Sequence, residues 1–363
     1  MTASIIWDVV VVGAGISGII TAQRLTRLGC AVLVVDKSRG LGGRLATRRV
    51  LDQRVDHGCR FLDDTANPEL SPVPELIQAG VLQPWQPLVL RWQGLTLAPC
   101  ADSQPCWVAP QGMTTVAKVL AQNLTIWRPW QVTQIRPQGL GWTIDGHTTA
   151  DHTTVGHTTA EHQPSITARA VVLAIPAPQI VPLIQAATAQ NSALQRFIAA
   201  LADVLFDPVM TVMAGYPPSL DLASPLQAAT PAGWMVYSQD HPTLAWAGLD
   251  SSKRVPVGDP VVVMHSTPSF AQAHLNAPNL DHAGQQLLAS VAPQMGLGLT
   301  APTWMQVHRW RYGLVRQPLG AKVLSTPDLP TLIGCGDWCR GKTVEAAIAS
   351  GHDAAEQIMQ ALS

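Results

Sequence analysis

Gly13, Gly15 and Gly18 are spaced as G-x-G-x-x-G directly after a run of four valines at 9–12, and Asp36 follows the next apolar run. Residues of these types at this spacing can hold a pyrophosphate and a ribose. Gly13 allows a tight turn, Gly15 lets phosphates approach the backbone, and Gly18 lets the following helix pack closely on the strand. The helix N-terminus offers free N–H groups and a positive dipole end, and Asp36 is placed to accept hydrogen bonds from a ribose diol. Other candidates lie near the C-terminus. Residues 336–343 read G-D-W-C-R-G-K-T, a formal match to the phosphate loop G-x-x-x-x-G-K-[ST], and Cys335 and Cys339 form a thiol pair.

The elements that must position these residues follow from pattern. The valine run suits a strand buried on both faces. Apolar residues at Ile19, Ile20, Leu25 and Leu28 mark a helix that stops at Gly29, and "AVLVV" is a second buried strand ending on Asp36. This is a complete β-α-β unit, which makes dinucleotide binding the reading for the first glycine loop. At the C-terminus, "TLIG" reads as a strand and the residues from Val344 onward as a helix. Trp338 and Arg340 would have to fit inside a loop wrapped around phosphate, and the residues after Thr343 suffice for one helix without a further strand. The phosphate-loop match is therefore set aside.

Hydrophobic residues make up 47% of the 363-residue chain and charged residues 13%, a balance that excludes extended disorder and allows two domains. A net charge of -1 gives no basic field for nucleic acid or anionic lipid. Locally, Arg39, Arg44, Arg48, Arg49 and Arg54 cluster, and a contact of Arg48, Arg49 and Arg54 to substrate phosphate stands beside a solvated loop as the reading. Six cysteines at scattered positions suggest neither a disulfide framework nor a zinc site, so no metal is expected. The start of the chain lacks a basic segment with a cleavage site, and no stretch has 18 uninterrupted apolar residues. A soluble, cytoplasmic protein is the expectation.

The residues after Asp36, "DKSRGLGGRLATRR", resemble the second glycine turn of the amine-oxidase-type flavoproteins. That resemblance implies non-covalent FAD, with Lys37, Arg39, Gly42, Gly43 and Arg44 joining Gly13, Gly15, Ile16, Ser17, Gly18 and Asp36 around it. Further blocks resemble the renalase-like branch of that family. "RVDHGCRFL" is similar to its D-x-G-A-Q-Y-F segment, which puts His57 and Gly58 beside the flavin ring. "WVAPQGMTTVAKVLA", "VVLAIPAPQ" with Pro176, "LAWAGLDSSKRVP", "VHRWRYGLV" and "IGCGDWCRGKTVEAAIASG" resemble later blocks. Through the resemblance, the backbone of Val132 would contact adenine. Gly336 and Asp337 would meet the ribityl chain, and the helix start at Val344 and Glu345 would face the flavin N1–C2=O. Two departures stand out: Cys59 and Arg60 replace alanine and glutamine, and the usual V-E-G-A reads Val344, Glu345, Ala346, Ala347. Both bear on substrate identity more than on flavin binding.

The implied fold class is α/β: a Rossmann-type FAD-binding domain interleaved with an α+β substrate domain on an antiparallel sheet, as in amine oxidases and p-hydroxybenzoate hydroxylase. The FAD domain is expected over 1–65, 111–177 and 331–363, and the substrate domain over 66–110 and 178–330. No second glycine-loop unit or redox cysteine motif follows, so electrons should come directly from a small-molecule substrate, a nicotinamide dinucleotide being one candidate, with O2 or another acceptor. Hydride transfer to flavin N5 depends on proximity and alignment. Substrate-side candidates are Arg60, Tyr237, Trp246, His308, Trp310 and Arg311. Alternation along "HRWRY" puts His308, Trp310 and Tyr312 on one face and Arg309 and Arg311 on the other. The resemblance implies oxidation of dihydropyridine isomers of NAD(P)H; an amine or amino-acid oxidoreductase is the alternative, and a non-redox nucleotide-binding module the remote one. Lys253 lies in a plausible region for a lysine-held water but is not selected. The repeat "HTTADHTTVGHTTAEH" at 147–162 reads as an expanded loop.

Overall fold

The computed structural model describes residues 6–63, 70–94, 96–100, 106–149, 165–220, 222, 233–295 and 298–363. Most of the histidine repeat, from residue 150 onward, lies outside them. The chain divides into two compact units, one of residues 1–43, 117–205 and 315–363, the other of residues 44–116 and 206–314.

The first unit grows from the strand Ile6–Val12. The glycine-loop helix Ile16–Arg27 returns the chain to the parallel strand Val32–Val35, as the valine run and the helical periodicity predict. Strands Thr125–Trp127, Ile166–Leu173 and Leu329–Gly334 extend the parallel sheet, and the hairpin of Trp130–Gln138 and Gly141–Thr148 joins it antiparallel. Val9, Val11, Val34, Val172 and Ile333 are fully buried with Ala354, Ala355 and Ile358 of the C-terminal helix Val344–Leu362. Two glycines allow these layers to meet. A Cβ on Gly18 would lie 2.0 Å from the Gly13 carbonyl oxygen, and one on Gly351 would lie 2.6 Å from that of Ser17.

The second unit is built on a seven-stranded sheet in the order Trp304–Gln317, Leu205–Gly215, Val261–Ser266, Leu244–Leu249, Trp234–Ser238, Leu88–Gln93 and Thr96–Pro99. From Leu205–Gly215 to Thr96–Pro99 the pairings run antiparallel except between Trp234–Ser238 and Leu88–Gln93, which are parallel. One face packs on the helix Asp281–Met295 through Leu287, Leu288 and Val291, and the other buries Val55, Trp85, Met213, Met235, Trp246 and Val263.

The units depart from the expected domain ranges in four places, each with a physical reason. The hairpin Thr47–Val50 and Gln53–Asp56 belongs to the second unit because the buried Asp56 binds Arg254 and the Met113 N–H there. Residues 111–116 go with it, since Thr114 and Thr47 exchange hydrogen bonds. Helices Ala177–Ile184 and Ser192–Leu201 belong to the first unit, packing on Trp130–Gln138 and Leu324–Thr326. Residues 315–330 join them, because the N–H groups of Leu319, Gly320 and Ala321 bind the carbonyls of Trp338 and Cys339.

An ion quartet lies under the second unit's sheet. Asp250 is fully buried and accepts from Lys253 Nζ at 2.8 Å and from an Arg254 Nη2 at 2.6 Å; the same nitrogen reaches Asp56 at 2.9 Å. Burial alone would raise the Asp250 pKa, but Arg254 and Lys253 outweigh it and hold the carboxyl below its usual range. Asp250→Ala would leave two buried cations sharing one carboxylate, and should cost about 3–5 kcal/mol in chemical denaturation.

Candidate cofactor and substrate sites

In the first unit, the glycine-loop helix starts after Gly15 with no side-chain cap and no acid in its first turn. A Cβ at Gly15 would meet nothing within 4 Å. The orphan N–H groups of Ile16, Ser17 and Gly18 are thus left for an anion. The Ser17 hydroxyl is committed elsewhere, donating to the Ala347 carbonyl at 2.7 Å. Asp36 accepts from the N–H groups of Ala14 and Ser38, both at 2.7 Å. These two bonds occupy part of its lone-pair capacity, which leaves room for a ribose hydroxyl.

The second glycine turn packs on the first. Gly42 donates to the Ala14 carbonyl at 2.8 Å and bridges Gly15, and a Cβ on Gly43 would approach Gly15 Cα to 3.3 Å. Gly42 has φ 97° and Gly43 φ 56°, the left-handed region that glycine tolerates. Lys37 and Arg39 are exposed, and the Arg39 carbonyl accepts from Arg128. Val132 is buried on Trp130–Gln138, whose Trp130 N–H binds the Asp36 carbonyl, and the strand register shifts just after Val132. Pro176 caps the helix Ala177–Ile184.

Residues 336–343 do not form a phosphate loop. A short helix, Asp337–Arg340, occupies the middle, and the Trp338 indole lies against Gly334 and Gly336 while its Nε1 donates to the Ile175 carbonyl. Asp337 is buried beside it. Thr343, the last residue of the phosphate-loop match, is the cap of the C-terminal helix, accepting from the Ala346 N–H. This leaves the Val344 and Glu345 N–H groups without intrahelical partners. Cys335 and Cys339 are buried free thiols. Burial raises both pKa values, that of Cys335 to about 12, which keeps the thiols protonated and unreactive.

In the second unit, Arg44 donates to the Gly313 carbonyl, while its own carbonyl accepts from Cys59 N–H. A Cβ on Gly58 would lie 2.1 Å from the Arg44 carbonyl oxygen, so only glycine fits there. His57 stacks on Trp310 at 5.5 Å and meets His308 edge-on at 4.9 Å; Trp310 Nε1 donates to the His57 carbonyl. Alternation on this strand is as expected: the His308 and Trp310 rings lie 4.2 Å apart, while Arg309 and Arg311 turn toward residues 275–277. Arg311 is exposed, and its guanidinium binds Asn276. Arg48 serves protein groups, Gln306 and His308, and Arg54 binds Gln111.

Arg60, Tyr237 and Trp246 do come together. The Arg60 guanidinium lies 4.7 Å from the Trp246 ring centre and 5.9 Å from that of Tyr237. Its Nε donates to His265 Nδ1 at 3.2 Å, a partner that the sequence reading does not single out. Lys253 is used otherwise, its ammonium donating to Asp250 and to the Arg60 carbonyl while it lies between the rings of Trp85 and Trp246. Among the described residues no group of His, Cys, Asp and Glu could hold a metal, and no helix is long and apolar enough to cross a membrane.

Burial lowers the His57 pKa to about 3, with the charges of His308 and Arg48 adding to it, and that of His308 to about 4, with Arg48 and Arg309 adding. The folded chain holds both rings neutral, whereas the unfolded chain would protonate them below 6.5. Proton uptake then favours unfolding, so stability should fall as pH drops from about 6.5 toward 4. Denaturation midpoints across that range check this, and His57→Gln should flatten the slope.

Comparison with known proteins adds three findings. Residues 11–73 match the model of an NAD(P)-binding Rossmann-like domain, and residues 95–359 match that of flavin containing amine oxidoreductases. A Mycobacterium tuberculosis protein described as a flavin-containing monoamine oxidase is 44% identical over 69 residues, a segment covering 19% of this chain and 15% of that relative. Among solved structures, cyclohexylamine oxidase from Brevibacterium oxydans superposes with a TM-score of 0.69 at 14% identity, covering 99% of this chain and 100% of the other. Wild-type putrescine oxidase bound to putrescine gives 0.66 at 11%, covering 98% and 100%. An Exiguobacterium protein described as a protoporphyrinogen oxidase gives 0.71 at 13%, covering 99% and 100%. At such identities these likenesses show a shared fold.

Proposed function

Because the chain belongs to the family of flavin-containing amine oxidoreductases, with FAD as its cofactor, we propose that it removes a hydride from a small substrate at a carbon activated by nitrogen. The observation that carries this reading is the packing of the second glycine turn on the first beside an uncapped helix start, a cradle that a side chain at Gly42 or Gly43 would disturb. Bound FAD would supply the hydride-accepting ring.

The chain's own residues would do the rest. Ile16, Ser17 and Gly18 would offer N–H groups to the pyrophosphate, and Asp36 would accept from the adenosine ribose. Asp337 would take a ribityl hydroxyl, and the Val344 and Glu345 N–H groups would favour negative charge at their end of the helix. Arg39, Arg44, His57, Gly58, Val132 and Pro176 complete the proposed cofactor set. His57, held neutral, would add no charge there.

For the substrate, the family match favours an amine or amino acid. A second reading, the renalase-like oxidation of a dihydropyridine, is favoured by the sequence blocks that resemble that branch, "RVDHGCRFL" and "IGCGDWCRGKTVEAAIASG" among them. Either would transfer its electrons onward to O2 or another acceptor. The purified protein should be yellow. Anaerobic addition of substrate should bleach the visible flavin band: bleaching by amines or amino acids supports the first reading, bleaching by NAD(P)H isomers alone supports the second. A colourless protein without FAD affinity would overturn both. Asp337→Ala should weaken FAD retention by roughly tenfold, the scale of one lost hydrogen bond to a buried carboxylate, whereas Lys342→Ala should leave it unchanged.

A further inference from the structure

Tyr237, Trp246, His265 and Thr211 form a single row across four neighbouring strands of the second unit's sheet. Tyr237 pairs with Trp246, Trp246 with His265, and His265 with Thr211. The last three are buried, at 1%, 7% and 0% exposure, yet Trp246 Nε1, His265 Nε2 and Thr211 Oγ1 have no hydrogen-bond partner among the described residues. Three such orphans side by side are unusual, since buried polar groups are nearly always paired.

The identity of the atoms narrows what they await. His265 Nδ1 accepts from Arg60, so its proton sits on Nε2, which is a donor. An indole Nε1 only donates, and a threonine hydroxyl can. Above the row, the Arg60 guanidinium is surrounded by Trp246, Tyr237 and His265, and the residue as a whole is half-buried. Among the described residues no carboxylate pairs with it. Asp56 and Asp250 are taken up by Lys253 and Arg254. A buried cation without a counter-charge is costly, as are unpaired donors. The row and the guanidinium present donors and positive charge, with the Tyr237 and Thr211 hydroxyls as their only acceptors and no carboxylate among the described residues.

We propose that Arg60, with Trp246, His265 and Thr211, forms a recognition site for a carboxylate on the substrate. This rests on the oxidoreductase reading only for the word substrate; the anion site stands on its own geometry. A carboxylate supplies two oxygens with about four lone-pair positions, enough for the orphan donors together with a charge for the guanidinium. The same arrangement opposes a diamine, whose ammonium groups would meet Arg60. Within the family the chain would therefore take amino-acid-like or other carboxylate-bearing compounds.

The test titrates FAD-loaded protein with benzoate, inorganic phosphate and putrescine, following thermal unfolding and the visible flavin band. Benzoate should raise the unfolding temperature, and putrescine should not. Arg60→Met should weaken benzoate binding roughly tenfold or more, and Trp246→Phe, which removes only the N–H from a ring that still packs, by several-fold. Trp246→Phe keeps the outcome readable if Arg60→Met does not fold. Binding of putrescine in preference to benzoate, or benzoate binding unchanged in both variants, would overturn the site. So would a phosphate response that exceeds the benzoate response. If benzoate shifts only FAD-free protein and loses its effect on loading, the donors serve the cofactor's own phosphates and the substrate assignment fails. If no compound ever bleaches the flavin but benzoate still binds through Arg60, the anion site stands and the oxidoreductase reading is the one that fails.

Discussion

Two carboxylates and two cations are shut together beneath the second unit's sheet, and much of that unit follows from how they pair. Asp250 joins Lys253 and Arg254 across one turn of a short helix, and Asp56 reaches the same guanidinium from the hairpin Gln53–Asp56. Asp56 also accepts from Thr47 and the Met113 N–H, so one side chain fixes the hairpin, the residues after it and the loop near residue 113. Such a cluster contributes little net stability over an apolar core, but it tolerates few rearrangements because any shift strands a charge. It also settles the role of Lys253. With its ammonium held by Asp250 and a carbonyl, the lysine orders the core, and Arg60 stands nearby with no carboxylate partner among the described residues.

Much of the first unit was legible because its cause is local. The valine run, the glycine spacing and the helical periodicity each act within a few residues, and the structure places strand, helix and strand where they predict. The Asp36 carboxylate at the end of the second strand and the left-handed Gly29 just past the helix follow the same logic. The domain boundaries were less legible, because they depend on contacts distant in sequence. Nothing local to residues 44–56 announces that Asp56 will find Arg254, and nothing in residues 177–201 shows which sheet their helices will cover.

The quartet itself carried a signal that could have been read. Asp250, Lys253 and Arg254 stand at i, i+3 and i+4, the spacing that brings opposite charges together on a helical turn. The row of orphan donors carried none. Thr211 and His265 sit in apolar strands, "DPVMTVMAG" and "VVVMHS", where a single polar residue reads as an edge or an end. Their meeting depends on strand order and register, and register is set by the whole sheet. Arg60 was visible as a departure from the family pattern, but its lack of a counter-charge only appears once the partners of Asp56 and Asp250 are known.

The same distinction explains the false phosphate loop. Gly334 and Gly336 leave space for the Trp338 indole: a Cβ at either position would come within 3 Å of that ring. Gly336 also donates to Ser350 of the C-terminal helix, whose hydroxyl donates on to the Lys322 carbonyl. Thr343 caps that helix, and Lys342 is exposed. Each element of G-x-x-x-x-G-K-T thus has a separate origin in packing, capping or solvation, and their spacing coincides with a motif whose mechanism requires one continuous cradle of N–H groups. A glycine motif indicates phosphate only when its backbone is left open. At Gly15 it is open and at Gly336 an indole lies against it.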